Sequence, residues 1–191
     1  MENQNIISNQ KYDKKYDDFS FSGNIALIGF MGTGKTTVCN ALSHIYGMEV
    51  VDADADIERR TGMRINEIFE QYGEEHFRDL ETQTLGSYEG RQNTVISCGG
   101  GAVLRHRNVE ILKRISRVVL LSARPKTVLF RLKDDDTRPK LRGHKNTADI
   151  ASMMAERETQ YKNAADIIVD TDGKSIPEIC KEILRNAARI Q

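Results

Sequence analysis

The sequence predicts an α/β fold, a parallel sheet of five strands covered by helices on both faces. Short apolar runs alternate with stretches of helical spacing, the order that a parallel sheet and its crossover helices require. Several of those stretches also carry recognisable helix caps. At 191 residues the chain has the size of one ordinary domain, able to bury a sizeable core but too short for two large ones.

Residues 1–22 are polar, with mixed charge and no helical or strand period, in KYDKKYDD above all, and read as a mobile tail. Within it Tyr12, Tyr16, Phe19 and Phe21 are able to pack locally. The five expected strands follow as Ile25 to Ile28, Val50 to Val51, Thr94 to Ile96, Val118 to Leu121 and Ile167 to Val169. After the first strand, Val38, Ala41, Leu42 and Ile45 form the apolar side of a helix. Ile65, Ile68, Phe69 and Tyr72 form a second stripe, which stops at Gly73. A further helix carries Phe77, Leu80 and Thr84 on a common face, and another runs from about Asp149 to Asn163. Ser175-Ile-Pro-Glu178 reads as a capping box that opens a C-terminal helix through Ile179, Ile183 and Leu184. From Lys133 to Thr147 the pattern fails: KDDDTRPKLRGHKNT is charged and punctuated by Pro139 and Gly143, so it is a linker-like excursion or a mobile lid.

Composition removes several function classes. Lysine plus arginine total 28 and aspartate plus glutamate total 28, so no global charge excess recommends nucleic acid or an anionic membrane as a partner. Cys39, Cys98 and Cys180 are odd in number and lack metal-ligand spacing, which argues against a disulfide framework or structural zinc and fits a reducing cytoplasm. No stretch reaches 18 consecutive apolar residues, and the N-terminus has no apolar core for a signal peptide. A cytoplasmic protein is expected, acting on small molecules as a monomer.

The strongest chemical signal is GFMGTGKT, Gly29 to Thr36, which satisfies GxxxxGK(S/T) directly after an apolar strand and before a helix. Glycines let the backbone curl so that successive N–H groups face one hollow, where they bind phosphate oxygens beside the positive end of the helix. Gly32, Thr33, Gly34, Lys35, Thr36 and Thr37 are therefore expected to bind the phosphates of ATP or GTP. Lys35 reaches the β- and γ-phosphates, and Thr36 offers an oxygen to Mg²⁺.

The acceptor side is read from weaker signals. Asp52-Ala-Asp54-Ala-Asp56 ends the second apolar run, where ligands sit in an open parallel sheet. If the chain stays extended there, Asp52 and Asp54 share one side, suited to one metal contact and one hydroxyl contact, with Asp56 starting the helix. Capping by one aspartate and solvation of the others is the plainer alternative. An unperturbed Asp54 would be ionised at neutral pH, with a pKa of about 3.9. Glu74 with Arg78, and Arg78 with Glu81, sit at i,i+4 and i,i+3, the spacing of an ordinary surface ion pair. Gly99-Gly100-Gly101 closes the third run, either as a flexible turn or as a close backbone approach to a small anionic molecule. Arg157 falls on the apolar face set by Ile150, Met153 and Met154, so its guanidinium needs a carboxylate from the protein or from a substrate. Arg138, in the polar excursion, suits stabilisation of a transferring phosphoryl group.

Taken in order, GFMGTGKT, the DAD of Asp52 to Asp54, GEEHFR ending at Arg78, SCGGGAV, RPKL from Arg138 and ERETQY containing Arg157 closely resemble shikimate kinase from Asn24 onward. The resemblance implies a three-layer P-loop kinase fold of the nucleoside-monophosphate-kinase type, a single domain over residues 23–191 with a lid at about 133–148. It implies transfer of the γ-phosphoryl group of ATP to the 3-hydroxyl of shikimate, in the pathway to chorismate and aromatic amino acids. By the same analogy Asp54 meets the reacting hydroxyl, and Arg78, Arg157 and the backbone of Gly99, Gly100 and Gly101 hold the acid. Phe69 and Phe77 wall the ring, Glu81 steadies Arg78, Thr36 and Asp52 serve one Mg²⁺ directly or through water, Arg131 lies beside adenine, and Arg138 rides on the lid.

Two features depart from the family's pattern. Lys140 stands in RPKL where many relatives read RPLL, and Asp134 to Asp136 precede it, negative charge that would slow closure over ATP or simply face water. Three other functions compete. A gluconate-type kinase has no evident use for both Arg78 and Arg157, a nucleoside-monophosphate kinase must recognise a base at the acceptor site, and a silent binding module has no need of Lys35, Asp54 and Arg138 together.

Overall fold

The computed structural model describes residues 21–133 and 146–190. It contains the expected strands, β1 (Ile25–Ile28), β2 (Glu49–Asp52), β3 (Thr94–Ser97), β4 (Arg117–Ser122) and β5 (Ile167–Asp170), in the order β2-β3-β1-β4-β5 with every neighbouring pair parallel. After β1, each strand runs one or two residues beyond its apolar run. Backbone pairing carries polar residues such as Arg117 and Asp170 into the ladder. Among the described residues the helices are α1 (Lys35–Tyr46), α2 (Ala53–Thr61), α3 (Ile65–Gly86), α4 (His106–Ile115), α5 (Pro125–Leu132), α6 (Thr147–Ala164) and α7 (Ile176–Arg189).

β1 lies at the centre of the sheet and all four of its residues are buried, so its side chains feed both layers. Ile25 and Leu27 join α1 and α7 through Val38, Leu42, Ile179 and Ile183. Ala26 and Ile28 face the opposite way, onto Leu85 of α3, Leu112 of α4 and Tyr161 of α6. Full burial of one such aliphatic side chain contributes about 1.5–3 kcal/mol. β2 and β5 are the edges, and there Val50 and Ile168 are exposed. Phe21 is half-buried against the α1/α7 core, so the chain is already packed one residue before the expected tail ends; Tyr12, Tyr16 and Phe19 lie outside the described residues.

Two helix expectations change. The stripe through Ile65 does stop at Gly73, whose φ of 81° and ψ of 172° are non-helical, but the backbone resumes helical geometry at once and α3 continues to Gly86. Tyr72, at the end of the stripe, is exposed. The second change is at DADAD, where helix α2 begins at Ala53 with Asp52 as its N-cap, the Oδ1 accepting from the Ala55 N–H at 3.1 Å. Asp52 and Asp54 are thus not alternate residues of one strand. Asp56 does not start the helix but lies in its first turn, where it accepts from Tyr88 Oη and Arg59. A good capping residue at the strand's last position ends the strand two residues earlier than alternation through Asp54 implies. The box at Ser175 is formed as expected, with the Ser175 N–H donating to Glu178 at 2.8 Å.

Ile57, Ile68 and Phe77 form a small separate core that joins α2 to both halves of α3. Of the expected lid, residues 134–145 lie outside the described residues, and Thr147 and Ala148 already belong to α6.

Candidate functional site

The glycine loop leaves the C-terminal end of β1 and turns into α1. Gly29 has a φ of 141°, and a Cβ there would sit 2.5 Å from the Leu121 carbonyl oxygen, so the loop's exit beside β4 admits only glycine. Gly34 caps α1 in the left-handed region, and the Thr33 hydroxyl donates to the Phe30 carbonyl at 2.8 Å. Lys35 Nζ reaches back across the loop to the carbonyls of Gly29 and Phe30, at 2.8 and 3.1 Å. Thr36 and Thr37 are exposed in the first turn of α1, on the wall of a cleft of about 660 Å³. Arg131 of α5 closes one side of this cleft, donating to the carbonyls of Gly32 and Thr33 and to the Thr171 hydroxyl at 3.1–3.3 Å.

The same cleft reaches Asp52, Asp54 and the turn after β3. Asp54, in the first turn of α2, is half-buried, and its Oδ1 has no hydrogen-bond partner among the described residues. Burial first, and the neighbouring Asp52 charge second, push its carboxyl from 3.8 up to about 6, against the opposing pull of Lys35 and Arg78. The unperturbed value expected from sequence is therefore too low. The expectation missed that Gly99, 45 residues away in sequence, presses on this carboxylate: a Cβ on Gly99 would lie 2.6 Å from Asp54 Oδ1.

Arg78 is 8% exposed, so its spacing partners do not make an ordinary surface pair. Its Nη1 donates to Glu81 at 2.9 Å and its Nη2 to Glu74 at 3.0 Å. Burial works against the guanidinium's charge, but Glu81 and Glu74 outweigh it and hold the group more firmly protonated than usual. Glu81 is fully buried, pushed up by that burial and pulled back in part by Arg78. Its second support is Asn108, also fully buried, which donates to Glu81 at 3.1 Å and to the Ala102 carbonyl at 3.0 Å. The guanidinium lies 5.2 Å from the centroid of Phe77, whose ring is 4.7 Å from that of Phe69.

Arg157 and Tyr161, one turn apart on α6, both donate to the Gly100 carbonyl, at 3.3 and 2.6 Å. Among the described residues no carboxylate is paired with Arg157, the side chain that sequence left in need of one. Gly101 adjoins the other cation: its Cβ, if present, would meet Arg78 Nη2 at 2.4 Å. Two guanidinium groups from α3 and α6 thus converge on one glycine turn, with Asp54 between that turn and the phosphate loop.

The structure therefore gathers Gly32 to Thr37, Asp52, Asp54, Gly99, Gly100 and Arg131 around one cleft, with Arg78, Arg157, Glu81, Phe69 and Phe77 behind the glycine turn. Arg138 lies outside the described residues. Sequence reasoning did not single out Asn108, Tyr161 or Thr171 for the site. Thr171 carried a usable signal, because it follows β5 at the carboxyl end of the sheet, where ligands sit. Asn108 carried a fainter one, a polar residue three and four positions before Ile111 and Leu112 on the buried face of α4. The donors also fit Mg²⁺, which keeps several waters and takes only one or two protein oxygens beside phosphates. Thr36 and Asp52 line the cleft together, and among the described residues no cluster of three or more acidic, histidine or cysteine ligands forms an all-protein cage.

Comparison with known proteins gives a consistent result. A family model described as shikimate kinase matches residues 31–188. The chain is 44% identical over 160 residues to a shikimate kinase of Geobacter sulfurreducens, covering 84% of this chain and 88% of that protein. It is also 44% identical over 161 residues to one from Moorella thermoacetica, covering 84% and 92%. A solved shikimate kinase of Acinetobacter baumannii in complex with shikimate superposes with a TM-score of 0.77 at 35% identity, over 85% of this chain and 91% of that one.

Proposed function

The chain belongs to the shikimate kinase family, and from that premise we propose that it moves the γ-phosphoryl group of ATP to the 3-hydroxyl of shikimate, giving shikimate 3-phosphate and ADP. The observation that carries this reading is the junction at Asp54, where an unpartnered carboxylate oxygen lies between the phosphate loop and a turn flanked by two arginines.

The triphosphate rests on the N–H groups of Gly32 to Thr37, and Lys35 exchanges its two loop carbonyls for phosphate oxygens. The acid's carboxylate is held by Arg78 and Arg157 against Gly99 to Gly101, with the ring over Phe69 and Phe77. Asp54 accepts the 3-hydroxyl proton as that oxygen attacks the γ-phosphorus in line and the bond to the β,γ-bridging oxygen breaks. Its raised pKa makes it a better proton acceptor than an ordinary carboxylate while leaving it mostly ionised at neutral pH. Phosphoryl transfer asks mainly for alignment and charge stabilisation, which fixed cations supply. Thr36, and Asp52 directly or through water, would hold Mg²⁺, which would supply neutralisation of phosphate charge. Arg138 closes over the γ-phosphate from a lid, and the face of Arg131 meets the adenine.

We also place the enzyme in the cytoplasm as a monomer, with residues 23–191 as one catalytic domain behind an N-terminal tail. Three buried, unpaired cysteines suit a reducing compartment, and among the described residues no helix is long and apolar enough to cross a membrane. The test is ADP release with Mg-ATP and, in turn, shikimate, quinate, gluconate and nucleoside monophosphates. Turnover with shikimate far above the rest is expected. A preference for gluconate or a nucleotide, or no release with any acceptor, overturns the assignment.

A further inference from the structure

Resting on the assignment of Arg78 to the acceptor's carboxylate, we propose that Glu74 is a built-in stand-in for that carboxylate, occupying the Nη2 edge of Arg78 until an anionic substrate displaces it. The two partners of Arg78 differ in every property that matters for exchange. Glu81 has a side chain only 1% exposed and is tied to Asn108, so it cannot leave without stranding a buried charge. Glu74 has a side chain 60% exposed at a contact of 3.0 Å, so water can solvate it as the contact opens. It follows directly on Gly73, whose non-helical backbone restarts α3. Glu74 therefore stands in the first turn after the break, where the N-terminal end of a helix stabilises a carboxylate whether or not it is paired.

The position of the contact is what makes it competitive. A Cβ on Gly101 would run into the guanidinium end of Arg78, Nη2 first and Nη1 only slightly farther, and Gly101 adjoins the Gly100 carbonyl that Arg157 holds. A carboxylate arriving at this turn to meet both guanidinium groups needs the edge that Glu74 covers. Acid binding is then an exchange of one carboxylate for another at Arg78, added to a fresh contact at Arg157. A neutral acceptor has no means to drive that exchange, so Glu74 contributes to specificity for anionic acceptors.

The experiment is steady-state kinetics of the full chain with Glu74→Gln, and with Glu75→Gln as a control. Glu75 is the adjacent acid but pairs with Arg105 instead. For Glu74→Gln the KM for shikimate falls by about two- to five-fold, the range of one exposed ion pair, with the effect on KM rather than kcat. Glu75→Gln leaves that KM in place. A raised or unchanged KM in Glu74→Gln overturns the proposal, since Glu74 would then be holding Arg78 in position or doing nothing. An equal fall in both variants also overturns it, by reducing the effect to general surface charge. Should Glu74→Gln not fold, Glu74→Asp, one methylene short of the contact, is read by the same criteria. Failure of the underlying assignment is distinguishable, because the unaltered enzyme would then release no ADP with shikimate.

Discussion

Replacing Asp54 by asparagine removes a charge and nearly keeps the shape, so it separates what the carboxylate does for turnover from what it does to stability. In the fold its pKa is pushed from 3.8 to about 6. Through linkage, that difference makes the ionised side chain about 3 kcal/mol less favourable in the folded than in the unfolded chain at neutral pH. The sign follows from proton counts: between about pH 4 and 6 the folded chain keeps a proton that the unfolded chain has lost, so stability falls as pH rises through that window. Asparagine resembles the protonated acid and does not titrate. The variant should match the parent near pH 4 and exceed it at pH 7.5, by at most about 3 kcal/mol because Asp54 is partly reached by water. At about 2–4 °C per kcal/mol for a chain of this size, thermal melts at pH 5 and pH 7.5 resolve a gap that widens with pH. Coupled ADP release should meanwhile show turnover reduced by at least about 10²-fold. The unaltered enzyme should lose kcat/KM, which reports groups of the free enzyme, as pH falls through about 6, where Asp54 protonates. Near-normal turnover in folded Asp54→Asn, or a stability gap that ignores pH, refutes the reasoning.

Arg138→Ala should lower kcat by about 10²-fold or more with little change in shikimate affinity, and a loss confined to substrate binding in the same assay argues against a lid role. Gly101→Ala places a Cβ 2.4 Å from Arg78 Nη2, so the KM for shikimate should rise at least about tenfold while that for ATP stays put; parallel changes in both would contradict the placement. Asn108→Ala strips a fully buried donor from Glu81 and from the Ala102 carbonyl, and urea unfolding should register a loss of about 2–4 kcal/mol. A loss below about 0.5 kcal/mol would show that Glu81 needs no such support.

Where the physics is local, the sequence alone determined the outcome. The phosphate loop is eight contiguous residues, Gly29 to Thr36, whose backbone angles demand glycine, and the strand and helix beside it follow from consecutive apolar residues and 3.6-residue spacing. The five strands of the parallel sheet and the box at Ser175 were legible for the same reason. At DADAD strand alternation and helix capping compete over the same five residues, and of the two readings open there the structure adopts the capping one, at Asp52. Tertiary structure alone decided the acceptor side. Asp54 owes its raised pKa to burial produced in part by Gly99, Glu81 is held by Asn108, and Arg157 meets Tyr161 at the carbonyl of Gly100. Electrostatic energy depends on distance and on exclusion of water. Neither quantity is carried by residue order until the sheet brings α2, α3, α6 and the turn after β3 to one edge.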